Sequence, residues 1–281
     1  MSTGSVTRRA RRVHKMVRSV PLLFVILGIT ALLLLYIPVL VMIAFSFNAG
    51  KLSSVWSGFS VKWYGALLEN EALLAALAKS LFIAGMAATL STIFGILIAT
   101  AFVRFGRFRA RLLLSALASA PLVIPEVVMG LSMLLLFIGM EKLTGWPSGR
   151  GLDTIIIAHA TFGMCFAAVV IQARLRQFDR SLEEAASDLG ARQPFIFFSV
   201  TLPLIAPAIL SAWLLTFTLS FDDLVIASFV SGPGSSTLPI VIFSKVRLGV
   251  TPEINAIATL MIVIIGVGVT AGALLMGRKK P

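Results

Sequence analysis

The chain has 281 residues, of which 58% are hydrophobic and 13% are charged, and its formal net charge is +12. Soluble domains have about 45–50% apolar and about 25% charged residues, so the composition excludes an ordinary soluble domain. Arginines and lysines cluster at the ends of apolar runs, not along one surface, which argues against nucleic-acid binding. The single Cys165 excludes a disulfide within the chain.

Six apolar runs follow one another along the chain and predict an all-α membrane protein with six transmembrane helices. Each run has about 19–29 residues, which is enough to cross a hydrocarbon core of about 30 Å at about 1.5 Å per residue. Only the third run is interrupted by a charge, the carboxylate of Glu126. The runs are 21–47, 80–103, 112–140, 154–173, 203–221 and 254–277.

The distribution of basic residues predicts that both termini are cytoplasmic. Seventeen of the 24 arginines and lysines fall in segments that six spans place on one side of the membrane, and positive charge favours the cytoplasmic side. The first run is longer than a signal-peptide core and no small-x-small cleavage site follows it, so we expect it to be retained. The predicted organisation is a basic tail 1–20, a six-helix domain 21–277 and a cytoplasmic tail 278–281.

The longest cytoplasmic loop, residues 174–202, is predicted to contain two short helices lying at an angle on the membrane surface. Ser181 followed by Glu183 and Glu184 favours a helix start, with a cap and early acids. Gly190 favours its end, because glycine tolerates the left-handed backbone of a helix stop. Pro194 suits the first turn of the second helix. These residues alone fit either an amphipathic connector or a docking element.

The same loop resembles the EAA loop of binding-protein-dependent ABC importer permeases, with Val200 where that family more often has isoleucine. The resemblance covers essentially the whole six-span chain and implies the type I ABC importer permease fold. It also implies that the loop docks into a cleft of a separate ATP-binding subunit. The matching residues, and hence the expected coupling residues, are Glu184, Ala185, Ala186, Gly190, Leu202 and Pro203.

Glu184 suits docking because a carboxylate accepts charge-assisted hydrogen bonds from a basic partner, although taken alone it could be a solvated helix acid. The chain has no G-x-x-x-x-G-K-[ST] phosphate loop. We therefore expect this chain to have no catalytic residue and to bind no cofactor or metal. ATP and Mg are expected to bind to the partner ATPase. His159 and Cys165 lack metal-ligand or nucleophile–base spacing. His159 is expected to make a hydrogen bond between helices.

Three acids are candidates for the translocation path. Glu126 lies near the middle of the third run, where a charge costs about 2.5–3.5 kcal/mol, and Pro121 and Pro125 interrupt helical bonding before it. Glu126 could face a cationic solute in a cavity, or it could pair with a neighbouring helix. Asp222 and Asp223 mark either the outer end of the fifth run or a bent segment near a gate.

Three phrases resemble the spermidine/putrescine branch of this family. They are APLVIPEVVMGLS at 120–132, SFDDLVIASFVSGPG at 220–234 and PEINAIATL at 252–260. The resemblance implies that Glu126, Asp222 and Asp223 help to pass a dication such as putrescine. Primary selectivity would then belong to an external substrate-binding protein.

The resemblance places the chain in the bacterial inner membrane as a multi-pass protein. The implied partners are a second, related permease, two ATPase subunits, the binding protein and the lipid bilayer. A permease of the same class could instead carry sulfate, molybdate, iron or sugar, although acids within the membrane favour a cation. An ion-driven secondary transporter would have an internal repeat and no docking loop, and that loop also argues against a receptor or scaffold without transport.

Overall fold

The computed structural model describes residues 22–50, 55–106, 108–249 and 251–277, and these residues are mainly α-helical, as the composition predicts. The predicted tails 1–20 and 278–281 lie outside the described residues. In chain order the helices are α1 (Leu22–Phe45), α2 (Lys62–Glu69), α3 (Glu71–Arg104), α4 (Arg111–Val123), α5 (Glu126–Thr144), α6 (Leu152–Arg176), α7 (Ser181–Asp188), α8 (Gln193–Ile196), α9 (Leu202–Phe221), α10 (Val225–Val230), α11 (Leu238–Leu248) and α12 (Pro252–Gly277).

Among the described residues, five helices are long and apolar enough to cross a membrane. This confirms a multi-pass helical protein. The sixth predicted run falls within the 26-residue helix α12, Pro252–Gly277, which is not among these five. Six spans and cytoplasmic termini therefore stay predictions. The five candidate spans are Phe24–Phe45, Glu71–Arg104, Glu126–Thr144, Leu152–Arg176 and Gln193–Phe221.

The third apolar run, 112–140, is two helices, and the break falls directly before Glu126, in the stretch that Pro121 and Pro125 were expected to interrupt. Helix α4 ends at Val123, and α5 begins at Glu126 after two residues of extended backbone. Pro125 causes the break, because proline lacks an N–H and disfavours helical backbone in the residue before it. Pro121 lies inside α4 and does not end it. Thirteen residues make α4 about 20 Å long, so Glu126 lies about that far from the start of α4.

The second helix predicted in the cytoplasmic loop is not a separate surface helix. Helix α8 continues through a π-helical turn, Phe197–Thr201, into α9, so that Gln193–Phe221 is one apolar helix of 29 residues. Within the turn, the N–H of Leu202 donates to the carbonyl of Phe197, five residues earlier. A π-helical turn lets a helix continue past a local change in hydrogen bonding. Of the two helices predicted in this loop, α7 alone is separate from a candidate span.

The described chain forms two compact units. One comprises the described residues up to Glu69 together with those from Lys245 onward, and the other comprises Asn70–Ser244. In the first unit, α12 packs against α1 and α2. The indole Nε1 of Trp63 donates to the carbonyl of Asn48 at 2.7 Å and fixes the loop after α1.

The core of the second unit consists of α3, α6 and α9. Helices α3 and α6 approach closely because small residues line their contact. A Cβ placed on Gly95 would lie 2.6 Å from the Cβ of Ala167, and the Ser91 hydroxyl donates to the carbonyl of Ala160. Small residues allow such close helix packing where lipid supplies no hydrophobic drive for association.

Helix α10 packs against α5 and α6 in the same unit. A Cβ placed on Gly130 of α5 would lie 2.6 Å from the ring of Phe229. The Thr154 hydroxyl of α6 donates to the carbonyl of Val230 at 2.8 Å. Glycine on one side and a hydrogen bond on the other therefore fix the position of this short helix.

Candidate coupling and translocation sites

A charged contact attaches α7 to two spanning helices. The Glu183 carboxylate accepts a hydrogen bond from Arg104 Nη2 at 2.7 Å and another from the hydroxyl of Thr201. The Arg104 and Glu183 side chains are only 16% and 21% exposed. We call these three residues the Glu183 clamp. It joins α7 to the end of α3 and to the π-helical turn that leads into α9.

Further contacts support the clamp. Arg180 Nη2 donates to the carbonyl of Val103 at 2.8 Å, and the Arg104 guanidinium lies over the ring of Phe178. Ser181, the expected cap, is instead the first residue of α7, and Asp179 accepts from its N–H. Hydrogen bonds from the Ser181 backbone and side chain lower the pKa of Asp179. The hydrogen bond to Asp179 thus fixes the start of α7, and the contacts of Arg180 and Arg104 fix its distance from α3.

The opposite face of α7 is exposed in the part of the chain that the structure describes. Leu182, Ala185 and Leu189 are exposed, and their i, i+3, i+7 spacing places them on one face of the helix. Leu189 is 89% exposed, and Glu184 beside this face is exposed too. Exposed leucines on a short polar helix are typical of a surface that another protein covers.

The remaining residues of the predicted coupling set are split between α7 and α9. Ala186 is half-buried, and Gly190 ends the helix as predicted, with a positive φ of 83°. Leu202 is half-buried and Pro203 is exposed, and both lie in the first turn of α9. These two residues therefore belong to the spanning helix, next to the clamp residue Thr201.

Glu126 is the first residue of α5 and is exposed. Its carboxylate makes no hydrogen bond or ion pair within the described part of the chain, so pairing with another helix of the described chain, the alternative considered from the sequence, is not seen. A negative charge at a helix N-terminus is stabilised by the exposed backbone N–H groups and the helix dipole. The break at Pro125 therefore both exposes this acid and makes its charge tolerable.

The neighbouring acids Asp222 and Asp223 have different surroundings. Asp222 directly follows the last residue of α9 and is exposed. Asp223 is largely buried, and its carboxylate accepts hydrogen bonds from the N–H groups of Ile226 and Ala227, at 3.3 and 2.7 Å. Asp223 therefore caps α10, a role that local sequence did not separate from that of Asp222.

His159 connects this cap to the helix core. Its Nε2 lies 3.1 Å from the Asp223 carboxylate, and its Nδ1 lies 2.7 Å from the Ser220 hydroxyl. The imidazole is buried, which confirms the predicted hydrogen bond between helices. A neutral imidazole with its proton on Nε2 satisfies both contacts, because it donates to the carboxylate and accepts from the hydroxyl.

Glu126 and the two aspartates lie at the same end of two packed helices, α5 and α10. Gly130 of α5 faces Ile226 and Phe229 of α10. Further along both segments, Glu141 and Pro233 line one cavity. Helices α5 and α10 therefore run in the same direction. Their first residues, with Glu126 on one and the aspartates just before the other, lie at the same end.

Sequence reasoning missed the Glu183 clamp and the link between His159 and Asp223. Both join residues more than 60 positions apart, and no local spacing indicates such a pair. The available signals were weak: a second glutamate beside Glu184, and one histidine within an apolar run. Among the described residues, no three His, Cys, Asp or Glu side chains are placed to hold a metal ion.

Known structures define the class of this fold. A chain of a bacterial ABC transporter that imports alginate superposes with a TM-score of 0.67 at 19% identity, covering 97% of this chain and 98% of that one. A chain of the MetNI methionine ABC transporter gives 0.56 at 18% identity, covering 79% and 100%. This chain therefore shares its fold with chains of ABC transporters.

The family follows from sequence. Residues 91–279 match the binding-protein-dependent transport system inner membrane component, and the chain belongs to this family. It is 52% identical to the putrescine transport system permease protein PotI of Escherichia coli strain K12, over 92% of this chain and 91% of the relative. It is 40% identical to the spermidine/putrescine permease protein PotC of the same strain, over 87% and 90%.

Proposed function

We propose that this chain is the membrane-spanning permease subunit of an ATP-driven polyamine importer, with putrescine as the main substrate and spermidine as a second candidate. The observation that carries this proposal is the 52% identity to a putrescine permease, sustained over 92% of the chain. The 40% identity to a spermidine/putrescine permease supports the same class of solute.

Helix α7 is the coupling helix in this proposal. Its exposed face, with Leu182, Ala185 and Leu189, docks into a separate ATPase subunit, and Glu184 accepts a hydrogen bond from a basic residue there. The Glu183 clamp then carries the movement to α3 and α9. Because the chain has no phosphate loop, ATP and Mg bind to the partner and this subunit performs no catalysis.

Glu126 and Asp222 supply the charge that attracts the substrate. Both are exposed, at the same end of the packed helices α5 and α10, whereas Asp223 is committed to capping α10. Two carboxylates suit a linear dication, whose ammonium groups would lose hydration inside the membrane without compensating charge. Asp223 therefore shapes this region rather than contacting the solute, and alternating access exposes the region to each side in turn.

The complete importer requires further subunits. A second, related permease closes the path, two ATPase subunits bind the coupling helices, and a soluble binding protein delivers the polyamine. A complex of the alginate ABC transporter with a substrate-loaded periplasmic protein supports this arrangement, because the two chains share a fold. The whole assembly resides in the bacterial inner membrane.

Uptake of labelled putrescine by a strain lacking this gene tests the function directly. We expect uptake to fall and to be restored by the gene, with unlabelled spermidine competing and sulfate having no effect. Competition by sulfate without competition by either polyamine would place the chain in a different transport branch. Unchanged uptake in the deletion strain, with other polyamine importers removed, would refute the function.

Glu126→Gln tests the acid at the helix break. The amide keeps the shape and removes the charge, so we expect putrescine uptake to fall about tenfold or more, as expected from losing about 1.4 kcal/mol of attraction. Glu141→Gln is the matched control, because that acid lies on the same helix and contacts the N–H of Gly149. Equal uptake by both variants would remove Glu126 from the path.

A further inference from the structure

A polar groove lies between α4 and α6, and none of the coupling residues or the three acids lines it. It encloses a cavity of about 190 Å³. Its polar lining consists of Arg111, Ser115 and Ser119 on α4, and Gln172 and Arg176 on α6. Neither the coupling mechanism nor the proposed cation path uses these residues. We call this feature the α4–α6 groove.

The polarity of the groove falls steadily with depth. Arg111 is the first residue of α4 and Arg176 is the last residue of α6, so both guanidinium groups lie at the same end of the groove. Ser115 and Gln172 lie one helical turn deeper, at about 6 Å. Ser119 follows, and beyond it the lining includes Leu122 and Cys165. A phospholipid has the same order of groups, from phosphate to ester to hydrocarbon.

Most of these polar groups have spare bonding capacity. The Arg111 guanidinium already donates to the carbonyls of Phe102, Phe105 and Gly106, which holds it at the mouth of the groove. The side chains of Ser115, Ser119, Gln172 and Arg176 make no hydrogen bond within the described part of the chain. These side chains are exposed or half-buried, so they are available to a ligand that enters the groove.

Exposed apolar residues on α4 provide a surface for the acyl chains of a lipid. Leu112 is 83% exposed and Val123 is 82% exposed, and Leu113 and Leu117 between them are exposed as well. A free phosphate ion would use only the charged mouth of the groove. A lipid would use the mouth, the hydroxyl and amide groups below it, and the apolar helix surface alongside.

We propose that the α4–α6 groove binds one anionic phospholipid of the cytoplasmic leaflet. Arg176 and Arg111 hold the phosphate, and Ser115 and Gln172 bind the glycerol and ester oxygens. The acyl chains lie along the exposed leucines of α4. Basic pockets between helices on the cytoplasmic side bind anionic headgroups, and the same two guanidinium groups would repel a polyamine.

Lipid retention measures this site independently of transport. The complete transporter is purified in detergent, and native mass spectrometry counts the phosphatidylglycerol and cardiolipin that remain bound. We expect Arg176→Gln to reduce retained anionic lipid about fivefold, the contribution of one basic residue near an anionic surface. Arg174→Gln is the control, because Arg174 is also exposed but does not line the groove.

Two further measurements distinguish a phospholipid from a free phosphate ion. Ser119→Leu fills the groove below the arginines, so it should reduce retention of lipid while leaving both positive charges in place. Inorganic phosphate at millimolar concentration should not displace the lipid. Equal retention by the Arg176 and Arg174 variants, unchanged retention by Ser119→Leu, or full displacement by phosphate would each overturn the proposal.

Discussion

The Glu183 clamp provides the sharpest test of how α7 is connected to the membrane helices. Replacing Glu183 by alanine removes the carboxylate that accepts hydrogen bonds from Arg104 and Thr201. The Arg104 Nη1 atom is already buried without a hydrogen-bond partner, so the substitution leaves the whole guanidinium uncompensated. We expect α7 to detach from α3 far more often than in the unaltered protein.

The size of the effect follows from the two contacts. A hydrogen bond between charged groups contributes about 1.5–3 kcal/mol, and a bond from a neutral hydroxyl about 0.5–1.5 kcal/mol. The Arg104 and Glu183 side chains are 16% and 21% exposed, so solvent weakens the pair only in part. A combined loss of about 3 kcal/mol corresponds to about a 100-fold increase in the detached fraction.

Hydrogen exchange and uptake together measure this change. Backbone amides of α7 should exchange about 100-fold faster in Glu183→Ala, because exchange of a local segment reports its opening equilibrium. Polyamine uptake should fall, while the amount of protein in the membrane stays the same. Asp188→Ala is the control, since Asp188 is an exposed acid on the same helix and makes no contact of this kind.

A double-mutant cycle isolates the pair itself. Arg104→Ala and Glu183→Ala should each speed exchange in α7, and the double variant should be less affected than the sum of the two. If the effects simply add, or if α7 exchanges in Glu183→Ala as it does in the unaltered protein, the clamp does not hold this helix.

Three other substitutions test the fold around the sites. Gly190→Val should abolish uptake with insertion intact, because a β-branched residue resists the φ of +83°, whereas Gly190→Asn should retain part of it. Gly95→Leu should lower the free energy of unfolding by about 1–3 kcal/mol through overpacking. Gly85→Leu is the control, because a Cβ at Gly85 meets open space. The Tm values of the two purified variants decide this. His159→Leu should destabilise the protein by about 1–3 kcal/mol, because Asp223 loses a buried partner, and denaturant unfolding would show no change if that contact were dispensable.

The spanning helices were predictable because length and charge distribution are local properties. The fourth run, 154–173, lies within α6, and Gly190 ends α7 where its backbone freedom allows. The limits of the third and fifth runs were not predictable in this way. Pro125 breaks one helix, whereas the π-helical turn lets α8 and α9 continue through Pro203. A proline looks the same in the sequence at both positions. Packing decides whether the helix breaks there or continues.

Some residues of the candidate site were predictable from the sequence and others were not. The motif indicated Glu184 and Gly190, and the structure leaves both exposed on a surface where a partner can reach them. It did not indicate Glu183, whose bond to Arg104 spans 79 positions. Nor did it separate Asp222 from Asp223, since adjacent carboxylates have the same intrinsic chemistry and differ only in their neighbours.

The sequence by itself determined that this chain lies in a membrane and which loop carries the family motif. These features depend on hydrophobicity, charge and backbone preference over short stretches. Only the tertiary structure decided which carboxylates are used internally and which stay free, because that depends on side chains brought together from distant positions. It likewise formed the α4–α6 groove, whose two walls have no relation along the chain.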